Sequence, residues 1–336
     1  SQIATSADIT MLIAATPDLA RKFTEPVRRN LRLTVLLEGG AIADEPGSCI
    51  TLQQMLATSI AGDERWDASQ PDDVATIAFT SGTTGAPKGI AHTHHQLCVA
   101  ADSLLEAFAD IREGSHLACW LPLSNLFQRM VNICAMGRGA QTWYVDNPRE
   151  IMERVKLINP HIFIGVPLFY EKLSRGLSER IDASPRWKRS LARWALATAS
   201  ARAAARRAGH PSNPLQQLRG GDGDRLVLRQ LKRIMGSNLL YMISGSAPMP
   251  LWLLERFDAM GLTILEAYGL SENTVPIAAN RPERYRFGSV GTVFTANELR
   301  FGDDGEILVR GQGLFSGYLG HADPGSLFTR DGFYHT

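Results

Sequence analysis

The chain has 336 residues, 44% hydrophobic and 21% charged, with a formal net charge of +1. This composition excludes wholesale disorder, and the balance of charge gives no global attraction for nucleic acid. The length suffices for two or three structural units; no apolar run reaches the roughly eighteen residues of a membrane span and no signal peptide opens the sequence, so a cytoplasmic protein is expected.

From Val74 onward, short branched apolar runs alternate with longer stretches of helical period. The predicted class is therefore α/β, with largely parallel sheets flanked by helices. The first strand candidate, 74–79, runs into Thr80-Ser-Gly-Thr-Thr-Gly-Ala-Pro-Lys-Gly89. Three glycines, four hydroxyls and Lys88 in ten residues offer bare N–H groups, rotatable O–H donors and a cation, which suits a polyphosphate. It is not the Walker loop, because Pro87 precedes the lysine and Gly89 follows it. His92, His94 and His95 come next; without an acidic or cysteine partner at ligand spacing they flank a helix rather than hold a metal. That helix is predicted over 93–108, followed by strands at 116–121 and 142–145, a helix at 148–158, a strand at 162–166 and a helix at 168–181.

The segment 184–221 is distinct. Arg186, Lys188, Arg189, Arg193, Arg202, Arg206 and Arg207 accompany Trp187, Leu191 and Trp194 at spacings of four and three. Two readings stay open for this basic amphipathic helix: peripheral contact with an anionic membrane through 186–207, or a surface helix whose tryptophans pack on the domain. A helix at 226–235, a strand at 239–243, a helix at 250–260 and a strand at 263–267 follow. Pro148 and Pro250 each fall in a predicted first turn, where proline is tolerated. Beyond Arg286 short strands and glycine turns replace helical periods, which divides the chain into an α/β part, 1–286, and a β-rich subdomain, 287–336. Cys49, Cys98, Cys119 and Cys134 show no CxxC spacing, so small buried thiols in a reducing compartment are expected, with no structural zinc.

In α/β sheets ligands bind beyond the carboxyl ends of the strands, so three loops are expected to share one sheet edge. They are the phosphate loop, Ser244-Gly-Ser-Ala-Pro248, whose small residues admit a flat heterocycle, and Tyr268-Gly-Leu-Ser-Glu-Asn273, which brings an aromatic face, a hydroxyl and a carboxylate. Magnesium favours one or two protein carboxylates plus substrate phosphates, a role that fits Glu272.

These three motifs, with Gly288-Ser-Val-Gly291, Gly305–Gly311 and Gly317-Tyr318, occur in an order and spacing that resemble the adenylate-forming superfamily of acyl-CoA synthetases, luciferases and peptide-synthetase adenylation domains. Leu121-Pro-Leu-Ser-Asn-Leu-Phe-Gln-Arg129 is most similar to the long-chain fatty acyl-CoA synthetase branch. The resemblance implies that a fatty or other carboxylic acid attacks the α-phosphorus of ATP and that coenzyme A takes the acyl group. It also implies roles by position. Thr80, Ser81, Gly82, Thr83, Thr84, Gly85 and Lys88 would hold the β and γ phosphates. Gly245, Ser246, Ala247, Glu266, Ala267, Tyr268 and Gly269 would surround the nucleotide, with Ser271 on the α-phosphate and Glu272 on Mg²⁺. Asn125, Gly245 and Tyr268 would border the acid. Lys88, Ser271 and Glu272 are thus the implied catalytic set. Two alternatives stay open: a ligase that loads a carrier protein, and a degenerate relative that binds nucleotide without catalysis.

The sequence departs from the pattern in two places. Asn125 stands where relatives usually carry a histidine, and Gln128 where long-chain members usually carry a glutamate. Relatives also continue past the Asp331-Gly-Phe-Tyr-His-Thr336 region into a mobile C-terminal domain, absent here, and have more chain before Ser1; a fragment, impaired in adenylation on its own, is expected. No Gly-x-Ser-x-Gly elbow supports a hydrolase.

Overall fold

The computed structural model describes residues 2–40, 42, 47–58, 68–80, 87–208, 233–320 and 327–336. They form two compact units, one of Ser1–His95 with Phe315–Phe328 and one of Gln96–Leu314 with Thr329–Thr336.

The first unit opens with α1 (Gln2–Ser6), followed by three parallel strands in the order β1 (Met11–Ala14), β2 (Leu33–Leu36) and β3 (Ser48–Thr51). Between them lie α2 (Pro17–Ala20) and α3 (Glu25–Asn30), each with proline in its first turn, and α4 (Leu52–Ala57) follows β3. A capping box starts α4, Thr51 and Gln54 each satisfying the other's backbone N–H. Ala14, Ala20 and Leu36 form a small core. Next come β4 (Val74–Thr80) and β5 (Lys88–Thr93), paired antiparallel as a separate two-stranded sheet. This corrects the expectation of one sheet edge: the chain after Thr80 returns along its own strand before entering α5 (His94–Ala107), whereas the other two loops follow strands of the second unit.

The second unit is built on a seven-stranded sheet. Its strands are β6 (His116–Cys119), β7 (Gln141–Tyr144), β8 (Ile162–Gly165), β9 (Tyr241–Ser244), β10 (Ile264–Tyr268), β11 (Ala278–Ala279) and β12 (Thr292–Val293), in the order β12-β11-β10-β9-β8-β6-β7. Five run parallel, and β11 and β12 join antiparallel. Side chains alternate between two cores. Phe163, Met242 and Ile264 face one, while Ile162, Ile164, Ile243 and Leu265 face the other. The first core is covered by α7 (Ile151–Ile158), α8 (Pro167–Asp182) and α10 (Leu251–Ala259), and the second by α5 and α6 (Leu126–Gly137). Each fully buried Phe, Leu or Met contributes about 1.5–3 kcal/mol, so Phe163, Leu173, Met242 and Phe257 fix the sheet firmly between its helices. Tyr170 Oη donates to Ile243 O at 2.8 Å and Trp120 Nε1 to Ile164 O at 2.8 Å, which ties aromatic side chains to the ends of β9 and β8.

The 22-residue helix α9 (Arg186–Arg207) packs on α10 and α8. Of the expected helix at 226–235, residues 226–232 lie outside the described residues, and Arg233–Met235 makes one 3-10 turn. The antiparallel strands β13 (Asn297–Phe301), β14 (Ile307–Gly311) and β15 (Tyr334–His335) form a three-stranded sheet. All four cysteines are free, but only Cys119 and Cys134 are buried; Cys98 is exposed on α5 and Cys49 half-buried, against expectation. Among the described residues no helix is long and apolar enough to cross a membrane.

Candidate active site

A cleft of about 180 Å³ opens at the carboxyl ends of β9 and β10. On one side stand Gly245 and Ser246, just past β9; on another Ala267 and Tyr268 end β10 and lead into Gly269, Leu270 and Ser271. The amino end of α6, from Ser124 to Phe127, forms the third wall, and Leu104, Met130 and Pro276 supply an apolar floor. Ligands of open α/β sheets bind at this position, where loops can approach without breaking the sheet's hydrogen bonds.

Each wall is held by identifiable contacts. Ser246 adopts φ +70°, a left-handed conformation that costs a non-glycine residue energy. Strain of this kind persists where surrounding structure enforces it, commonly at ligand sites. The loop after β10 is anchored from within. Thr274 Oγ1 donates to Gln96 O at 3.1 Å and Gly313 O at 3.2 Å, Asn273 Nδ2 donates to Asn297 Oδ1 at 2.9 Å, and Asn297 Nδ2 donates to Pro276 O at 2.9 Å. These buried amides and hydroxyls were not legible as functional; three polar residues in a row, Glu272-Asn-Thr274, were the available signal. Gly291 lies at φ +86°, and a Cβ there would overlap the Ala279 carbonyl, so only glycine lets β12 close on β11.

Asn125 and Gln128 have separable tasks. Asn125 caps α6, its Oδ1 accepting from Phe127 N at 2.9 Å and Gln128 N at 3.4 Å, while the residue also lines the cleft. Gln128 is completely buried. Its Oε1 accepts from Trp120 N and Leu121 N, and its Nε2 donates to Ala118 O at 3.4 Å and Asn132 Oδ1 at 3.0 Å. A carboxylate could accept the first pair but not donate the second, so the amide at this position is matched to its surroundings. Arg129 donates from Nε and Nη2 to Leu123 O at 3.0 and 2.9 Å, which fixes the turn before α6.

Of the residues singled out in sequence, Asn125, Gly245, Ser246, Ala267, Tyr268, Gly269 and Ser271 share this cleft. Ala247 is exposed on the following loop, and Glu272 is half-buried beside Ser271 without lining the cavity. Glu266 is buried under the β9 loop, where Met249 N donates to its Oε1 at 3.4 Å; burial holds its carboxyl above the usual carboxylate range. Thr80 and Lys88 belong to the first unit and face each other across the β4–β5 pair, where Lys88 Nζ lies 4.8 Å from the centre of the Tyr318 ring. Ser81, Gly82, Thr83, Thr84 and Gly85 lie outside the described residues. No cluster of three His, Cys, Asp or Glu capable of holding a metal occurs among the described residues; His94 and His95 instead donate backbone N–H groups to Asp73 O and Pro71 O.

Residues 1–319 match the family model described as AMP-binding enzyme. The chain belongs to this family. FadD11 of Mycobacterium tuberculosis is 32% identical over 275 residues, covering 81% of this chain and 48% of that protein. FadD15 of the same organism, a long-chain-fatty-acid–CoA ligase by name, is 30% identical over 273 residues, covering 81% of this chain and 45% of its own length. The chain thus spans about half the length of the curated relatives it matches. Among solved structures, the anthranilate CoA ligase AuaEII in complex with anthranoyl-AMP superposes with a TM-score of 0.69 at 19% identity, covering 99% of this chain and 57% of that one. At that identity the likeness establishes the AMP-binding enzyme fold. Within that family fold, the seven residues gathered here come from two consecutive parallel strands and the amino end of one helix.

Proposed function

We propose that the protein activates a carboxylic acid, a long-chain fatty acid by the names of its relatives, through ATP to an acyl adenylate and passes the acyl group to the thiol of coenzyme A. The observation that carries this reading is the cleft itself: a strained serine loop, an aromatic strand end and an apolar floor converge at the carboxyl edge of a parallel sheet. The acid has a pKa of roughly 4 to 5, so at neutral pH it is already the nucleophile and needs no general base. Its carboxylate oxygen attacks the α-phosphorus, the α–β bridging bond breaks, and pyrophosphate departs with the electron pair. What the chain must supply is alignment of two anions and neutralisation of their charge.

In this reading Gly245, Ser246, Ala247, Glu266, Ala267, Tyr268 and Gly269 frame the nucleotide, and Ser271 meets the α-phosphate. Thr80 through Gly85, with Lys88, take the β and γ phosphates. Asn125, whose Oδ1 is committed to the cap, has its Nδ2 left to donate toward the acid, beside Gly245 and Tyr268. The amino end of α6 adds a dipole that favours negative charge at the same wall. Glu272 would be the one protein carboxylate on a magnesium ion bound with the triphosphate, a number of protein ligands that magnesium favours. When bound, that ion neutralises phosphate charge.

The test is acid-dependent exchange of labelled pyrophosphate into ATP, run with acids of graded length on the full-length gene product. Exchange that appears only with an added acid supports the reading, and the preferred length defines the substrate. ATP binding without exchange under any acid would identify a nucleotide-binding relative. Supplying coenzyme A or a carrier protein to the preformed adenylate then identifies the accepting thiol.

A further inference from the structure

Every charged residue of α9 is basic. The helix is held on the domain by an alanine seam, Ala195, Ala199 and Ala203, all buried, and at its C-terminal end Arg206 and Arg207 grip Asp258 at 3.2 and 2.9 Å. Small residues let two helices approach closely, so this seam decides which face turns inward. At about 100° per residue, Trp187, Leu191 and Trp194 share an arc of about 60°, roughly a third of a turn from the seam. Their exposures are 65%, 40% and 47%. Trp187 thus stands largely in water, and about half of Trp194 does.

An apolar stripe left in water needs an occupant. Arg186 and Arg193 stand on one side of it and Lys188 and Arg202 on the other, with Lys188 Nζ 5.4 Å from the centre of the Trp187 ring. Arg193 is paired with Asp182 at 2.8 Å, whereas Arg186 and Lys188 have no acidic partner among the described residues. The stripe is convex, one helix wide and edged by long cationic side chains. Such a surface sinks into a lipid layer without a complementary groove, with indoles at the boundary and cationic heads at headgroup level. A protein partner would have to offer pockets for both rings.

We propose that α9 docks on an anionic bilayer, placing Trp187, Leu191 and Trp194 among the outer acyl carbons and Arg186 and Lys188 on headgroup phosphates. Docking of this kind requires no particular chemistry in the cleft, so it stands or falls independently of acid activation. Flotation of the 336-residue chain is measured with phosphatidylcholine vesicles and with vesicles in which about a quarter of the lipid is phosphatidylglycerol. Expected are at least about tenfold tighter binding to the anionic vesicles, weakening with salt, and quenching of tryptophan fluorescence by brominated lipid. Trp187→Ala/Trp194→Ala lowers binding about tenfold or more, and Arg186→Glu/Lys188→Glu, at exposed positions, removes the anionic preference with far-UV circular dichroism unchanged. Equal binding to both vesicles, no binding, or parent-like binding by both variants overturns the proposal. So does capture by an acidic polypeptide, with poly-glutamate as the probe, in the absence of vesicle binding.

Discussion

The loop after β10 and the first residue of β5 are held in opposite ways. Asn273 and Thr274 fasten the first from beneath through buried amides, a hydroxyl and backbone carbonyls, so its shape exists before any ligand arrives. At the second, the ladder fixes the backbone of Lys88, while its ammonium rests on the Tyr318 ring. A cation–π contact of this kind is worth about 0.5–1 kcal/mol, less than a charge-assisted bond to phosphate. Under the proposed function the contrast is a division of labour: one region presents a rigid frame, the other a cation that can change partners at little cost. Lys88→Ala is the sharpest way to break it. Pyrophosphate exchange is expected to fall about 100- to 1000-fold, with unfolding free energy changed by less than about 1 kcal/mol. A loss of stability matching the loss of activity would show that Lys88 is structural after all.

Gln128→Glu should have the reverse profile. The carboxylate would face Ala118 O and Asn132 Oδ1, two acceptors that the amide now serves as donor, inside a completely buried site. Leaving them opposed to a charge or an unmatched proton costs about 3 kcal/mol, read as a lower urea midpoint at unchanged slope. Gln128 lies beneath the cleft wall, so the acid preference of any surviving exchange should stay as in the parent. A shift in acid preference without loss of stability would put Gln128 in the binding machinery.

Strands β8, β9 and β10 and helices α8 and α10 were legible because their apolar periods agree with burial on two faces of one sheet. The β4–β5 pair was not. Lys88-Gly-Ile-Ala-His-Thr93 is short and flows directly into a helical period, so a strand-loop-helix passage seemed sufficient. On α9 the period revealed which residues share a face, but not which face is covered. Ala195, Ala199 and Ala203 turn inward, while Trp187 and Trp194 keep much of their surface in water. The loops after β9 and β10 were legible from their position after strands and Asn125 from the resemblance carried by 121–129, whereas the buried supports, Asn297 and Gly313, come from distant sequence and leave no local trace.

Glu266 sharpens the same contrast through pH. Burial raises its carboxyl above the ordinary range, so the folded protein holds this proton at pH values where the unfolded chain has released it. Stability is therefore expected to decline as pH rises from about 4.5 through the folded-state value, and Glu266→Gln should flatten that part of the profile. The amide oxygen still accepts from Met249 N, which preserves the loop. Thermal unfolding of both proteins between pH 4 and 8 checks it; parallel profiles would mean that the carboxyl is solvated in the native state.

The smallest expected effect is the most informative about the rigid frame. Ser246 pays for a left-handed backbone at φ +70°, and glycine adopts that region without steric penalty while losing more freedom on folding. The two terms nearly offset, leaving Ser246→Gly about 0.5 kcal/mol more stable or neutral. If the frame matters because it is preorganised, exchange should nonetheless slow several-fold, since the glycine loop samples conformations that the cleft does not use. A variant that is both more stable and equally active would show that the strain is incidental. One that loses stability would show instead that the serine hydroxyl holds the loop in place, and the frame would owe its rigidity to a contact at its rim.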